Sequence, residues 1–192
     1  MALTKTTTLS QNDDWAAITA GAMRVGSTYD LSGSFSSMLY IDVAPIEAVA
    51  QVGMDIIVQV SYADQLWDTL MTFKSNAVTS TLTTLDAEAA AEQKVISVAT
   101  QSEDVGSYLF IKDGTIANSE LIIVQATAAG EYTAADDLIL THANGLGIYS
   151  DAQQWVVQLP LAAAIARVLY NNTDTDCDMA SSSHVSIVTS LI

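Results

Sequence analysis

The sequence has little positive charge. Only 6 Lys and Arg stand against 22 Asp and Glu, which gives a formal net charge of −16 over 192 residues. A surface of this sign repels phosphate backbones and anionic lipid headgroups, so we expect the protein to bind neither nucleic acid nor a membrane. The longest apolar run, residues 159–170, is too short to span a bilayer and contains Arg167.

Cysteine and proline are also scarce. The single cysteine, Cys177, excludes an intrachain disulfide, so stability must come from packing or oligomerisation. The N-terminal stretch MALTKTTTLSQNDDW has no charged region followed by an apolar one. We therefore expect no secretory signal and synthesis in a cytoplasm. Hydrophobic residues make up 50% of the chain, enough for the core of one generous domain or two small ones.

Alternating runs of β-branched and aromatic residues recur, and long stretches of helical periodicity are absent. This pattern predicts a mostly β protein. Strands are predicted at residues 22–29, 36–43, 55–62, 68–74, 94–99, 108–112, 120–125, 138–140, 154–158, 165–170 and 185–189. Gly, Asn and Asp predict tight turns at residues 30–33, 112–114, 129–130 and 144–145. Short helical turns are predicted at residues 12–18 and 85–94.

The spacing of the strands predicts an antiparallel β-sandwich, jelly-roll-like, with an inserted small β-barrel or β-sheet unit. Residues 82–150 are densely acidic and hold short strands between glycine-bearing turns, so we predict that they form the inserted unit. Residues 21–81 and 151–192 then form the sandwich. Residues 1–20 are predicted to be an arm whose Thr-rich segment pairs only when a neighbour offers a sheet edge.

Three segments carry a resemblance to a known class of proteins. They are GAMRVGSTYDLSGSFSSMLYIDV (21–43), DIIVQVSYADQLWDTLMTF (55–73), and VGSYLFIKDGTIANSELIIVQ (105–125) with the following LTHANGLGIYS (140–150). They resemble segments of small virion structural proteins of tailed bacteriophages, most of all capsid decoration, or cement, proteins. The sequence departs from the commoner pattern in having Ser107 where an acidic residue is usual and Leu121 where an aromatic is usual.

The resemblance implies a virion protein on the exterior of the capsid. Its expected partners are the major capsid protein and further copies of itself in a homotrimer. No cofactor is expected. A neck, tail or host-adhesion component that binds glycans is the alternative, and exposed aromatics among Tyr108, Phe110, Tyr132 and Tyr149 would favour it. A small hydrolase is disfavoured because no catalytic triad, metal set or phosphate loop is visible.

Few polar residues are candidates for a metal site or a catalytic site. The spacing of Asp174, Asp176 and Asp178 is that of a calcium loop, but the glycine and final glutamate of an EF-hand are missing. A solvated turn is therefore favoured, and no metal site is predicted. Ser119, Glu120 and His142 lack a nucleophile elbow, so we expect Glu120 to accept backbone hydrogen bonds and His142 to stabilise its turn.

The remaining candidates are contact residues. Trp67 lies in the turn-like ADQLWD and is a possible anchor, whereas Trp155 alternates with Val157 and is predicted to face the core. Plain core packing is favoured for the tryptophans over a contact role. The candidate interface residues are Leu3, Thr7, Leu9, Trp15, Trp67, Tyr108, Phe110 and Tyr132.

Overall fold

The computed structural model describes residues 6–13, 17–44, 53–63, 66–76, 81–115, 118–150, 152–176, 179 and 183–191. This part of the chain is built from strands and contains no α-helix, which confirms the mostly β prediction. The fourteen strands are β1 (Thr6–Asp13), β2 (Met23–Asp30), β3 (Ser34–Val43), β4 (Asp55–Ser61), β5 (Trp67–Lys74), β6 (Thr83–Thr84), β7 (Val95–Ser97), β8 (Tyr108–Lys112), β9 (Glu120–Ala128), β10 (Glu131–Ala134), β11 (Gly147–Tyr149), β12 (Gln153–Gln158), β13 (Ile165–Asn171) and β14 (Ser183–Leu191).

Eight of these strands form two four-stranded antiparallel sheets. Their orders are β1-β14-β3-β12 and β2-β13-β4-β5. When β6 to β11 are left out and the eight strands are renumbered along the chain, the orders become 1-8-3-6 and 2-7-4-5. This is the strand order of a jelly roll, so the predicted fold class is confirmed.

The core of the sandwich lies between the two sheets. Alternate residues of β3, β4 and β13 face inward and are fully or almost fully buried, as the period of two requires. At one end, Phe73 of β5 stacks on Trp155 of β12 with 5.1 Å between the ring centroids. Trp155 therefore packs against the core, as its alternation with Val157 predicts. Burial of each large side chain contributes about 1.5–3 kcal/mol.

The other six strands form a sheet of their own, in the order β6-β11-β8-β9-β10-β7. All of them lie between Thr83 and Tyr149, and they enclose a second core of residues from this segment alone. The domain boundaries at 82 and 150 stay a prediction. The sandwich and the six-stranded sheet meet at a small cluster of Ala44, Phe110 and Ala152. Beside it, the backbone N–H of Asn76 donates to Gln153 Oε1 at 2.6 Å.

Three of the four predicted turns form, at residues 30–33, 129–130 and 144–145, whereas the predicted turn at 112–114 is the start of a longer loop between β8 and β9. Between β2 and β3, the N–H of Ser32 donates to Asp30 Oδ1 at 2.8 Å, and Gly33 takes a φ of 83° that favours glycine. Hydrogen bonds from the Ser32 side chain and backbone lower the pKa of Asp30. Gly130 and Gly145 also adopt positive φ in their turns.

Two local predictions are wrong. Residues 138–140 form no strand, and residues 85–94 form no helix. Leu85 instead bridges to Val98, and Ala89 bridges to His142. Because both Leu85 and Ala89 are buried, tertiary pairing overrides the helix propensity of this alanine-rich segment.

The predicted N-terminal arm is also corrected. Residues Thr6–Asp13 are strand β1, which pairs antiparallel with β14 of the same chain. Thr7 lies opposite Ser190, and Leu9 lies opposite Val188. The Thr-rich segment thus finds its sheet edge within the chain, and the predicted helix cap at residues 12–13 belongs to this strand. Among the described residues there is no helix with the length and apolar character that crossing a bilayer requires.

Candidate functional site

The outer face of the β2-β13-β4-β5 sheet centres on a tryptophan and an arginine. The Arg167 guanidinium carbon lies 3.9 Å from the centroid of the Trp67 ring, which is a cation–π contact. Arg167 Nε also donates to Gln59 Oε1 at 2.9 Å, and Gln59 Nε2 donates to Thr69 Oγ1 at 3.4 Å. The register places Arg167 beside Gln59 and Gln59 beside Thr69, so the row crosses three strands.

An apolar row lies beside this polar one. Leu169 is paired with Val25 on one side and with Ile57 on the other. All three lie outside the cluster between the two sheets; Leu169 is only 7% exposed, whereas Val25 remains 54% exposed. Met23 at the start of β2 is 52% exposed. The face therefore offers hydrophobic area next to a rigidly held aromatic ring.

This sheet is neutral in an acidic protein. Its four strands hold three basic and three acidic residues, whereas the whole chain carries −16. The charged residues of the sheet are Arg24, Lys74 and Arg167, and Asp30, Asp55 and Asp68. Lys74 and Asp55 pair at 3.3 Å. We call the outer face around Trp67, Arg167, Gln59, Ile57 and Val25 the contact face.

Sequence reasoning found Trp67 but missed its partners. Arg167 carried a signal, since it is the only charged residue in the apolar run 159–170. Gln59 and Val25 carried none, because their neighbours across the sheet are far away in sequence. Of the other candidate contacts, Leu3 and Trp15 lie outside the described residues, and Thr7 and Leu9 are described by backbone pairing alone.

Phe110 and Tyr132 are corrected as surface contacts, because both are 0% exposed. Strand β8 is covered on both faces: Leu109 and Ile111 pack into the core of the six-stranded sheet, and Phe110 packs into the junction cluster. The Tyr132 hydroxyl oxygen accepts the backbone N–H groups of Ser102 at 3.0 Å and Glu103 at 3.1 Å. Tyr108 is half-buried at the junction.

Glu120 and His142 form the most enclosed polar pair of the six-stranded unit. Glu120 accepts the backbone N–H of Ile139 at 2.9 Å and that of Leu140 at 3.2 Å, as the sequence predicts. His142 Nε2 lies 3.0 Å from Glu120 Oε2, and since a carboxylate accepts, Nε2 donates. His142 is 0% exposed, and its Nδ1 has no hydrogen-bond partner among the described residues.

Ser119 is not arranged as a nucleophile beside this pair. Its hydroxyl oxygen accepts the backbone N–H of Asp113 at 3.0 Å, and the residue is 7% exposed. The hydroxyl therefore closes the loop between β8 and β9. Ser119, Glu120 and His142 each have a structural partner, and their contacts stabilise turns.

The acidic stretch near the C-terminus folds as a turn where it is described. Asn172 Oδ1 accepts the N–H of Asp174, and Asp174 Oδ1 accepts the N–H of Asp176 at 2.8 Å. Asp178 lies outside the described residues. Within the described part of the chain, no three His, Cys, Asp or Glu side chains are grouped so that they could hold a metal ion.

Comparison with known proteins gives weak structural likenesses. No protein-family model matches the chain, and no curated protein does. Among solved structures, the chain is similar to VP17, a capsid protein of bacteriophage P23-77, at 10% identity and a TM-score of 0.22, over 98% of this chain and 97% of that chain. It is also similar to a chain in the structure of infectious bursal disease virus, Gt strain, at 9% identity and a TM-score of 0.26, over 97% of this chain and 42% of that chain. TM-scores of 0.22 and 0.26 are too low to establish a common fold or function with either protein.

Proposed function

We propose that this protein is a structural component of a virion, and more narrowly a decoration, or cement, protein of a tailed bacteriophage. In this role it is made in the host cytoplasm and binds the outer surface of the head. The observation that carries the proposal is the contact face, which is partly apolar and belongs to a sheet with equal numbers of basic and acidic residues in a chain of net charge −16. Such a face suits burial against a capsid, while the acidic remainder limits aggregation of virions.

In this role the protein would reinforce the shell mechanically. The contact face would cover joints between subunits of the major capsid protein, so that internal pressure has to break these contacts as well as the shell's own. Tryptophan and arginine are frequent anchors of protein interfaces, and Trp67 and Arg167 are already held against each other at 3.9 Å. A homotrimer would add avidity, because three modest contacts act together on one symmetry axis.

A second candidate is a shell subunit of the capsid itself. The strand order favours it, because jelly rolls recur in viral capsid domains. The same architecture serves lectins and cupins, so the fold alone does not choose between them. The third candidate is a neck, tail or host-adhesion component of the same particle.

The test uses heads of the encoding phage that were prepared without this protein. Purified full-length chain is mixed with the heads, pelleted, and imaged by electron cryo-microscopy, while native mass spectrometry gives its oligomeric state. We expect a trimer that pellets with the heads and occupies many equivalent sites on the shell. A monomer that leaves the heads bare would contradict the proposal. Assembly of the chain alone into closed shells would favour the shell subunit, and density at one vertex would favour the neck or tail.

A further inference from the structure

A cleft of about 350 Å³ opens where the sandwich meets the six-stranded sheet. Its walls come from both parts, and junctions between folded units are common places for ligand sites. Two aromatic and five polar residues contribute to the wall. The aromatic residues are Trp155 and Tyr108, and the polar ones are Asn76, Glu103, Ser107, Gln153 and Gln154.

The two aromatic residues of the wall are held in place by packing. Trp155 stacks on Phe73 with its ring planes 21° apart, which fixes the indole at the edge of the sandwich core. Tyr108 packs against the junction cluster that contains Phe110. Each ring is half-buried, so each combines a fixed position with surface open to the cleft. Rigid aromatic surface of this kind binds apolar faces of ligands at little entropic cost.

The polar side chains of the cleft are likewise positioned. Gln153 Oε1 accepts the Asn76 N–H at 2.6 Å. The Gln154 side chain instead donates to Asp42 Oδ1 at 2.8 Å, on the face of β12 opposite Gln153 and Trp155. Glu103 Oε2 accepts the Ser107 hydroxyl at 3.2 Å, and the backbone of Glu103 is fixed by Tyr132. Amides and a carboxylate at the end of such networks offer both donors and acceptors to a ligand.

The charge and polarity of the wall narrow the class of ligand. Among the described residues that line the cleft there is no lysine or arginine, and Glu103 adds a negative charge to a chain that already carries −16. Phosphates and acidic sugars are therefore repelled. A purely apolar ligand would displace water from the remaining donors and acceptors of these side chains without replacing its hydrogen bonds. A neutral molecule with many hydroxyls and an apolar ring face satisfies both parts of the wall.

We propose that this cleft binds a neutral saccharide. Trp155 and Tyr108 pack against the ring face, and Gln153 and Glu103 bond its hydroxyls. The volume suits roughly one or two sugar rings, since ligand sites begin near this size. The proposal is independent of where the protein sits in a virion, because the cleft is complete within a single chain.

The test is direct binding by the purified full chain. Saturation-transfer difference NMR is run with glucose, galactose, mannose, N-acetylglucosamine, lactose and maltose, and with sialyllactose as the acidic comparison. We expect at least one neutral sugar to bind at millimolar concentration and sialyllactose to bind more weakly than lactose. Absence of binding by every neutral sugar, or equal binding of sialyllactose, would overturn the proposal.

Variants assign the binding to the cleft. Glu103→Gln preserves the shape of the side chain and removes its charge, and we expect affinity for the bound sugar to fall about tenfold. Trp155→Phe keeps an aromatic ring against Phe73 but reduces the aromatic surface of the cleft. We expect the affinity for the sugar to fall several-fold. Glu88→Gln, an exposed change in the same six-stranded unit, is the control and should bind as the parent does. Unchanged affinity in both cleft variants, with unchanged unfolding midpoints, would place the sugar elsewhere and refute the assignment.

Discussion

His142 Nε2 donates to Glu120 Oε2 at 3.0 Å in the interior of the six-stranded unit, and the same carboxylate also accepts two backbone N–H groups. One side chain thereby satisfies three donors from the loop before β11. The bond from His142 is the most costly to lose, because the imidazole is 0% exposed and its unpaired N–H could not turn to water.

Glu120→Gln should therefore destabilise the protein. The amide supplies one acceptor oxygen instead of two and points an NH₂ group toward donors. We expect the free energy of unfolding to fall by about 1–3 kcal/mol, measured by urea denaturation. Glu88→Gln, which changes an exposed carboxylate of the same unit, should leave it within about 0.5 kcal/mol. Equal midpoints for the two variants would show that the Glu120 carboxylate is not a structural group.

A second prediction concerns the close approach of Gly53 and Ser75. A Cβ atom on Gly53 would lie 1.6 Å from the Ser75 carbonyl oxygen, and the neighbouring Met54 exchanges two hydrogen bonds with Ser75. Gly53→Ala must therefore push two backbones apart. We expect a loss of about 3 kcal/mol or more in the free energy of unfolding.

Gly114→Ala is the matched control for that change, because no described residue lies within 4 Å of a Cβ atom at this position. It should leave the thermal midpoint close to that of the parent. If both alanine variants melt together with the parent, the approach of Gly53 to Ser75 is looser than described.

How well the sequence predicts each part of this fold depends on how far apart in the sequence the interacting residues lie. Strand β8 is predicted at its observed bounds, because alternation and a following Asp-Gly turn are local signals. Strand β1 was not predicted, since its polar Thr-rich segment shows no apolar alternation. Its partner is remote as well: Thr6 pairs with Leu191, at the other end of the chain. The jelly-roll order depends on several such pairs, and no local pattern specifies them.

The candidate site shows the same division. The turn-like neighbours of Trp67 indicate a possible anchor, and the residue is half-buried, whereas its contact with Arg167 joins residues separated by a hundred positions. Sequence does not predict the burial of Tyr132, because β10, where it lies, is only four residues long and gives almost no periodicity. Burial is therefore predicted poorly from sequence in a strand as short as β10.

Tyr132→Phe tests the role that the structure gives this residue. The ring would stay in the core, but the backbone N–H groups of Ser102 and Glu103 would lose their shared acceptor. We expect a loss of about 1–3 kcal/mol in the free energy of unfolding and faster hydrogen exchange at these two amides. Tyr62→Phe, at an exposed tyrosine, should change neither quantity. Unaltered exchange at Ser102 and Glu103 in the Tyr132 variant would exclude the anchoring role.

The last prediction addresses the contact face through Trp67. Trp67→Ala removes the ring that Arg167 covers at 3.9 Å and leaves the charge without its aromatic partner, while the core side chains of β5 stay in place. If this face docks on the capsid, the loss of a central anchor should weaken binding to undecorated heads by about tenfold or more, measured by cosedimentation over a range of protein concentrations. Val95→Ala trims an exposed apolar residue of the six-stranded sheet and should bind as the parent does. Since Trp67 is half-buried at the edge of its sheet, the variant should still unfold cooperatively. A folded Trp67→Ala protein that binds heads with parental affinity would therefore remove this face from the interface and leave the rest of the proposal to be tested elsewhere on the surface.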